Sequence, residues 1–323
     1  MFSYRFFLKQ AWNITKRYRY LWFFGLFASL IALGGEYQII SQGLNNNPGG
    51  SFVSIGVFML YNLFNPSFYA GIGSLAASNP AALWSLITAL LLALALIIIM
   101  VYLAIVSQAA LVEHSAQIIL NKKKKIGLSI NEGLASGRKH FWSLLGLNIS
   151  GNIIITFSFL IISLPLVFLF ITDTSVLTLA YILLFVIFVP ISLSIAFIIK
   201  YAIAARVLEN LSFVAAMEKG WKIFQNNWLV SLEMSLILFL INFAVGIVTI
   251  AVISLFFLPL LLLSLQLYLP LLTALSFILT LAAMLVAASI FNTFQISTWT
   301  NLYIHLQEKK GLSKLERIFQ RQR

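Results

Sequence analysis

The chain has 323 residues, of which 61% are hydrophobic and 9% charged, and its formal net charge is +12 at pH 7. A soluble domain carries roughly 25% charged residues, the groups that clothe its surface in water, so hydrocarbon must be the solvent for most of this chain. Cysteine is absent, which excludes disulfides, thiolate metal sites and cysteine nucleophiles.

All 21 Lys and Arg fall into four groups. In chain order these are Arg5 to Arg19, Lys122 to Lys139, Lys200 to Lys222, and Lys309 to Arg323. Three stretches without a basic residue separate them: Tyr20–Asn121, His140–Ile199 and Ile223–Glu308. A helix needs about 20 apolar residues to cross a hydrocarbon core of about 30 Å, so each stretch has room for two crossings and a turn. The pattern predicts an all-α polytopic membrane protein with six spans, near 20–35, 82–110, 142–172, 177–205, 228–256 and 270–304. Short cytoplasmic loops collect Lys and Arg, which predicts that both termini are cytoplasmic and that the protein sits in a plasma membrane. An even number of crossings separates every pair of basic groups, so the count is self-consistent. The basic groups flank spans, so anionic headgroups are the expected partner, with Lys122, Lys123, Lys124 and Lys125 the densest contact. Nucleic acid is not expected. No protein partner can be named from the sequence.

The first predicted element is an amphipathic helix over 2–19. Arg5, Lys9, Lys16 and Arg19 share one face, and Phe7, Ala11, Ile14 and Tyr18 share the opposite one, the pattern of a helix resting in the headgroup layer. A span follows, "LWFFGLFASLIALGG". It has no A-x-A site after it and a long leading region, which argues against a cleaved signal. Next comes the long segment 36–81. Its "GLNNNPGGS" is a turn, and its "FVSIGVFMLYNLF" is too short to cross and too apolar for water, which predicts a re-entrant or interfacial helix. The second span ends in "AALVEH". After the "KKKK" run, Ser129 and Glu132 have capping-box spacing and predict a helix start.

The same pattern then returns. Glu132 stands ten residues before Trp142, Glu218 ten before Trp228, and Trp12 ten before Trp22. The outgoing spans close on Glu113, Glu209 and Glu308. These spacings predict three units, 1–115, 120–210 and 212–310, inside one integral membrane domain (1–310), followed by a basic cytoplasmic tail (311–323). Each unit is an amphipathic lead-in helix and a hairpin of spans. All start on the same side, so the repeats are parallel, and the three acids should lie at one depth, paired with Lys or Arg.

"SFVAAMEKGWKIFQNNWLVSL", a short amphipathic helix leading into a span after "ARVLEN", resembles the recurring element of the polytopic membrane domain fused to some glycerophosphodiester phosphodiesterases. Many stand-alone bacterial relatives of that domain have no assigned function. The phosphodiesterase barrel itself is missing, so the resemblance implies membrane embedding and a lipid connection and transfers no catalytic residue.

Candidate chemistry is sparse. His114, His140 and His305 lack metal-ligand spacing, and no phosphate loop or nucleophile elbow occurs; neither an enzyme nor a cofactor is expected. An acid within a span is a functional candidate by default, which singles out Glu233. Asn148, Asn152 and Thr156 share a face of the third span. Ser235, Asn242 and Thr249 form a stripe in the fifth, and Ser289, Thr293, Ser297 and Thr300 one in the sixth. Two functions fit. One is a non-enzymatic membrane scaffold or lipid-associated factor, whose polar stripes join helices. The other is a small transporter or channel, whose pathway would use Glu233, Asn148, Asn152, Asn242 and Thr293.

Overall fold

The protein is an all-α, membrane-spanning chain. A computed structural model describes residues 4–32, 65–120, 129–169 and 174–308. In chain order the helices are α1 (Tyr4–Arg17), α2 (Leu21–Ala32), α3 (Pro66–Ser78), α4 (Pro80–Leu120), α5 (Ile130–Leu169), α6 (Thr174–Glu209), α7 (Phe213–Val252), a π turn (Ile253–Phe257), α8 (Leu258–Gln266) and α9 (Pro270–Glu308). No strand occurs among the described residues.

Five helical stretches are long and apolar enough to cross a membrane: Pro80–Leu120, Ile130–Ser158, Val186–Glu209, Phe213–Gln266 and Pro270–Gln307. Leu21–Leu30 is apolar but shorter. The apolar part of segment 36–81 expected to lie on or in the membrane, and Lys122 to Lys125, fall outside the described residues. The chain divides into two compact units, Met1–Ala32 with Leu103–Arg323, and Leu33–Tyr102.

Local signals set the helix boundaries. Asn65 and Asn79 each precede a proline and accept a backbone N–H: Ser67 N at 3.1 Å and Ala82 N at 3.1 Å. Proline at the first helical position costs nothing there, because its missing N–H would be unpaired anyway. The Ser129–Glu132 capping box is present. Ser129 N–H donates to the Glu132 carboxylate and Glu132 N–H to the Ser129 hydroxyl, both at 3.3 Å. Helix α6 stops because Asn210 takes φ +54°, a left-handed conformation that Asn tolerates. Ser212 then caps α7, its hydroxyl accepting Ala215 N–H at 3.4 Å.

The second lead-in helix is not a separate element. Nothing between His140 and Trp142 breaks the backbone, so α5 runs unbroken from polar lead-in to span. In α7 the two parts are separated by a kink at Asn227 (φ −139°, ψ 30°), immediately before Trp228. The Asn227 amide donates to the Ile223 carbonyl at 3.1 Å. The π turn has a different cause. Pro259 has no N–H for the carbonyl four residues back, and the Leu258 N–H reaches to Ile253 instead.

In the larger unit the core lies at the basic ends of the helices, the ends that adjoin the Lys and Arg groups. It contains Leu21, Phe24, Ile105, Leu111, Leu144, Leu147, Tyr201, Met234, Leu238 and Leu302 in one cluster. Trp142 and Trp228 point out of it, 79% and 55% exposed. The apolar face of α1 is covered by protein and does not rest on lipid: Phe7, Ala11 and Ile14 are buried. The ring of Phe7 sits 4.9 Å from that of His305 on α9. In the smaller unit, every residue of α4 from Thr88 to Met100 is exposed whichever way it points. A helix apolar on all sides is suited to hydrocarbon.

Candidate functional site: polar clusters at the basic ends

Helices α6, α7 and α9 converge on one carboxylate. Glu209, at the end of α6, pairs with the Lys219 ammonium of α7 and accepts the Tyr303 hydroxyl of α9. The Gln307 amide donates to it at 2.8 Å. A partly desolvated carboxylate needs such partners, because its lost hydration is otherwise uncompensated. An open cavity of about 550 Å³ lies beside this cluster, lined by Glu209, Lys219, Asn226, Gln307 and by the exposed pair Glu218–Lys222 (2.7 Å).

Glu113 of α4 is placed in a similar way. It accepts the Ser136 hydroxyl of α5, and the Gln117 amide donates to it at 3.2 Å. The expected basic partner is therefore found for Glu209, while a hydroxyl and an amide serve Glu113. The Glu308 side chain lies outside the described residues.

Beneath these clusters, small residues let helices approach closely. A Cβ on Gly220 would stand 2.6 Å from the Ile198 carbonyl oxygen, and one on Gly137 would collide with the Val106 carbonyl. Ala11 is fully buried at the corresponding place on α1. There the Asn301 amide of α9 donates to Gln10 at 3.3 Å. Lead-in helices thus bury Phe7, Ala11 and Ile14 in α1, Gly133, Gly137 and His140 in α5, and Ala216, Gly220 and Ile223 in α7. Val106, Ala202 and Asn301, which meet them, each stand seven residues before Glu113, Glu209 and Glu308.

The intramembrane candidates divide by partner. Glu233 is half-buried and accepts the Tyr4 hydroxyl of α1. The Asn148 amide donates to Gln108 of α4 at 2.9 Å, whereas Asn152, one turn on, is exposed. The sixth-span stripe is occupied with α2. Ser289 donates to the Trp22 carbonyl, Asn292 to Gly25 O at 3.0 Å, and Thr293 to Leu21 O at 3.2 Å. Gly25 is what permits this: a Cβ there would meet the Ser289 carbonyl and the Thr293 hydroxyl. Ser297 contacts Ser115 at 2.9 Å. In the fifth span Ser235 is buried, while Asn242 and Thr249 are half-buried; the Thr249 hydroxyl returns to Val245 O at 2.8 Å.

Sequence reasoning did not single out Tyr201, Lys200 or Arg206. The Tyr201 hydroxyl meets Ser231 at 2.7 Å in the core. Lys200 lies 4.6 Å over the Trp299 ring, a cation–π contact. A lone lysine inside an apolar run, nine residues short of the end of α6, was the available signal. Among the described residues no group of three His, Cys, Asp or Glu could hold a metal ion. No family model, curated protein or solved structure matches the chain.

Proposed function

We propose that this is a non-enzymatic integral membrane protein acting as a membrane scaffold or lipid-associated factor. The observation that carries the reading is where the polar side chains of the spans go. Ser289, Asn292, Thr293, Asn148, Ser231 and Ser297 all bond to a neighbouring helix, which is how polar residues join helices in a bilayer, at about 0.6 kcal/mol each. Glu233, the best candidate for a pathway acid, is held by Tyr4. A transporter needs such groups turned towards water.

The same bonds support an internal repeat of three units and a ring closure between them. Each lead-in helix lies on the outgoing span that ends the preceding unit, α5 on α4 through Gly137–Val106 and α7 on α6 through Gly220–Ile198. Helix α1 lies on the last outgoing span, α9. In this reading six spans cross a plasma membrane with both termini cytoplasmic, and the resemblance of residues 212–232 to the recurring element of the phosphodiesterase-associated membrane domain supports a lipid link.

Two measurements test the reading. Reporter fusions near Asn47 and at Ser175 should report the outer side, and fusions after Lys125, Lys222 and Arg323 the inner one; an outer signal after Lys125 would overturn the six-span topology. The full chain in liposomes should release a trapped small-ion tracer no faster than empty liposomes. Release that Glu233→Gln abolishes, at equal folded yield, would replace the scaffold with a transporter.

A further inference from the structure

Arg206 is a strongly basic side chain in the helix core with no ion pair among the described residues. It stands on α6 three residues before the helix end, half-buried. One guanidinium nitrogen, Nη1, donates to the Leu211 carbonyl and holds the α6–α7 turn. Its Nε is buried with no hydrogen-bond partner. Among the described residues neither Glu209, which pairs with Lys219, nor Glu113, which accepts from Ser136 and Gln117, forms an ion pair with it. A guanidinium kept out of water normally finds an anion, since its desolvation is costly.

A second orphan lies beside it. His140 of α5 is 3% exposed, and its Nδ1 is buried without a partner. The packing of α5 on α6 explains the meeting. Gly151 lies against Ile199, where a Cβ would stand 2.8 Å from the Ile199 side chain. At about 1.5 Å per residue, the seven residues from Ile199 to Arg206 and the eleven from Gly151 to His140 end about 6 Å apart along the axis. An arginine side chain spans that. Arg206 and Lys139 are the charges that bear on the imidazole, and Lys139 is exposed at the edge.

We propose that Arg206, His140 and Lys139 form a binding site for a phosphate group, supplied by an anionic lipid headgroup or by a soluble phosphate ester. The planar guanidinium fork matches phosphate oxygens in a way a single ammonium does not. The phosphate meets the outer edge of the guanidinium, Lys139 closes over it, and the His140 ring lies beneath, able to donate from Nδ1 once it turns. The position, between helices near the basic ends, is where basic pockets take lipid headgroups. The proposal deepens the lipid-associated reading and rests on it.

The test uses the full chain in neutral detergent with an equimolar mixture of phosphatidylcholine and phosphatidylglycerol, scored by native mass spectrometry. Wild type should retain phosphatidylglycerol preferentially, and Arg206→Gln should lower the ratio of the two bound lipids about tenfold, equivalent to about 1.4 kcal/mol. Lys222→Gln, at the exposed pair with Glu218, should leave the ratio unchanged. Because Arg206 also holds the turn, Lys139→Gln is the second variant, and it should lower the ratio by a smaller factor. Displacement of phosphatidylglycerol by millimolar inorganic phosphate would support a soluble ester as the source; its retention would support the lipid. Equal ratios in wild type and both variants, with no effect of phosphate, would overturn the site. The tracer assay above is independent of this ratio, so failure of the site and failure of the scaffold reading are separable.

Discussion

Helix α7 and the helix facing it, α9, each behave as two different materials along their length. Near the basic end Val230, Met234 and Leu238 are buried on one and Phe294, Trp299 and Leu302 on the other, with polar bonds running between helices. Further along, Leu240, Phe243, Ile247 and Val248 are exposed, as are Leu275, Phe277, Ile278 and Leu281 opposite. The packed half of α9 carries Ser289, Asn292, Thr293, Ser297, Thr300 and Asn301, while the outer half is mostly Leu, Ala, Ile and Phe. In lipid there is no hydrophobic force between helices, so association depends on close packing, small residues and hydrogen bonds. The half that has those devices in number is packed, and the half made mostly of large apolar side chains is exposed apart from local contacts such as Thr273 with Ser264 (3.0 Å) between α9 and α8.

The largest contrast should appear in one turn of α7. Leu238 is 1% exposed and Leu240 57%. Leu238→Ala should lower stability by about 2–5 kcal/mol, the range for truncating a packed leucine, and Leu240→Ala by less than about 0.5 kcal/mol. Reversible unfolding in mixed micelles measures both. Equal losses would mean that the outer half is packed against something after all.

Two glycines sharpen the comparison. Gly25 faces the Ser289 carbonyl and Thr293, whereas Gly246 has nothing within 4 Å. Gly25→Ala forces a methyl into a closed seam and should cost about 1–3 kcal/mol. Gly246→Ala should be neutral or slightly stabilising, since alanine is favoured over glycine within a helix by about 1 kcal/mol. Thermal midpoints of the two variants, compared in the same lipid, would separate them; a Gly25→Ala protein as stable as wild type would remove the seam from the account.

The smallest effect belongs to the third-span asparagines. Asn148→Ala breaks the bond to Gln108 and should cost about 0.6 kcal/mol, the mean for such bonds. Asn152→Ala removes an exposed amide and should not destabilise. A larger loss at Asn152 would place its partner outside this chain.

What was legible in the sequence is what depends on neighbours along it. Ser129 and Glu132 announced their capping box through a three-residue spacing, whereas the kink at Asn227 before Trp228 was not read from the sequence. The positions of the apolar helices followed from the gaps between basic groups. A partner distant in sequence was harder to see. Helical spacing places Asn148 and Asn152 on one face, but only the position of Gln108 decides that one is bonded and the other exposed. Gly25 reads as a neutral residue within a span until Ser289 is brought against it. Arg206 reads as one more cytoplasmic charge until its neighbours are seen to be already paired. The lead-in face of α1 carries the pattern of a lipid-resting helix, and a protein surface, α9, covers it instead.

The central claim is that polar side chains within the spans serve to join helices and line no water path. The absence of native cysteine makes it directly measurable, since single introduced thiols report without background. Thr293→Cys, Ser231→Cys and Asn242→Cys, in the full chain in liposomes, should resist a charged, membrane-impermeant thiosulfonate that requires thiolate and water, while Lys222→Cys at the exposed end reacts fully. Rapid modification at Thr293 and Asn242 with Lys222-like rates would contradict the claim and put an aqueous pathway through the bundle.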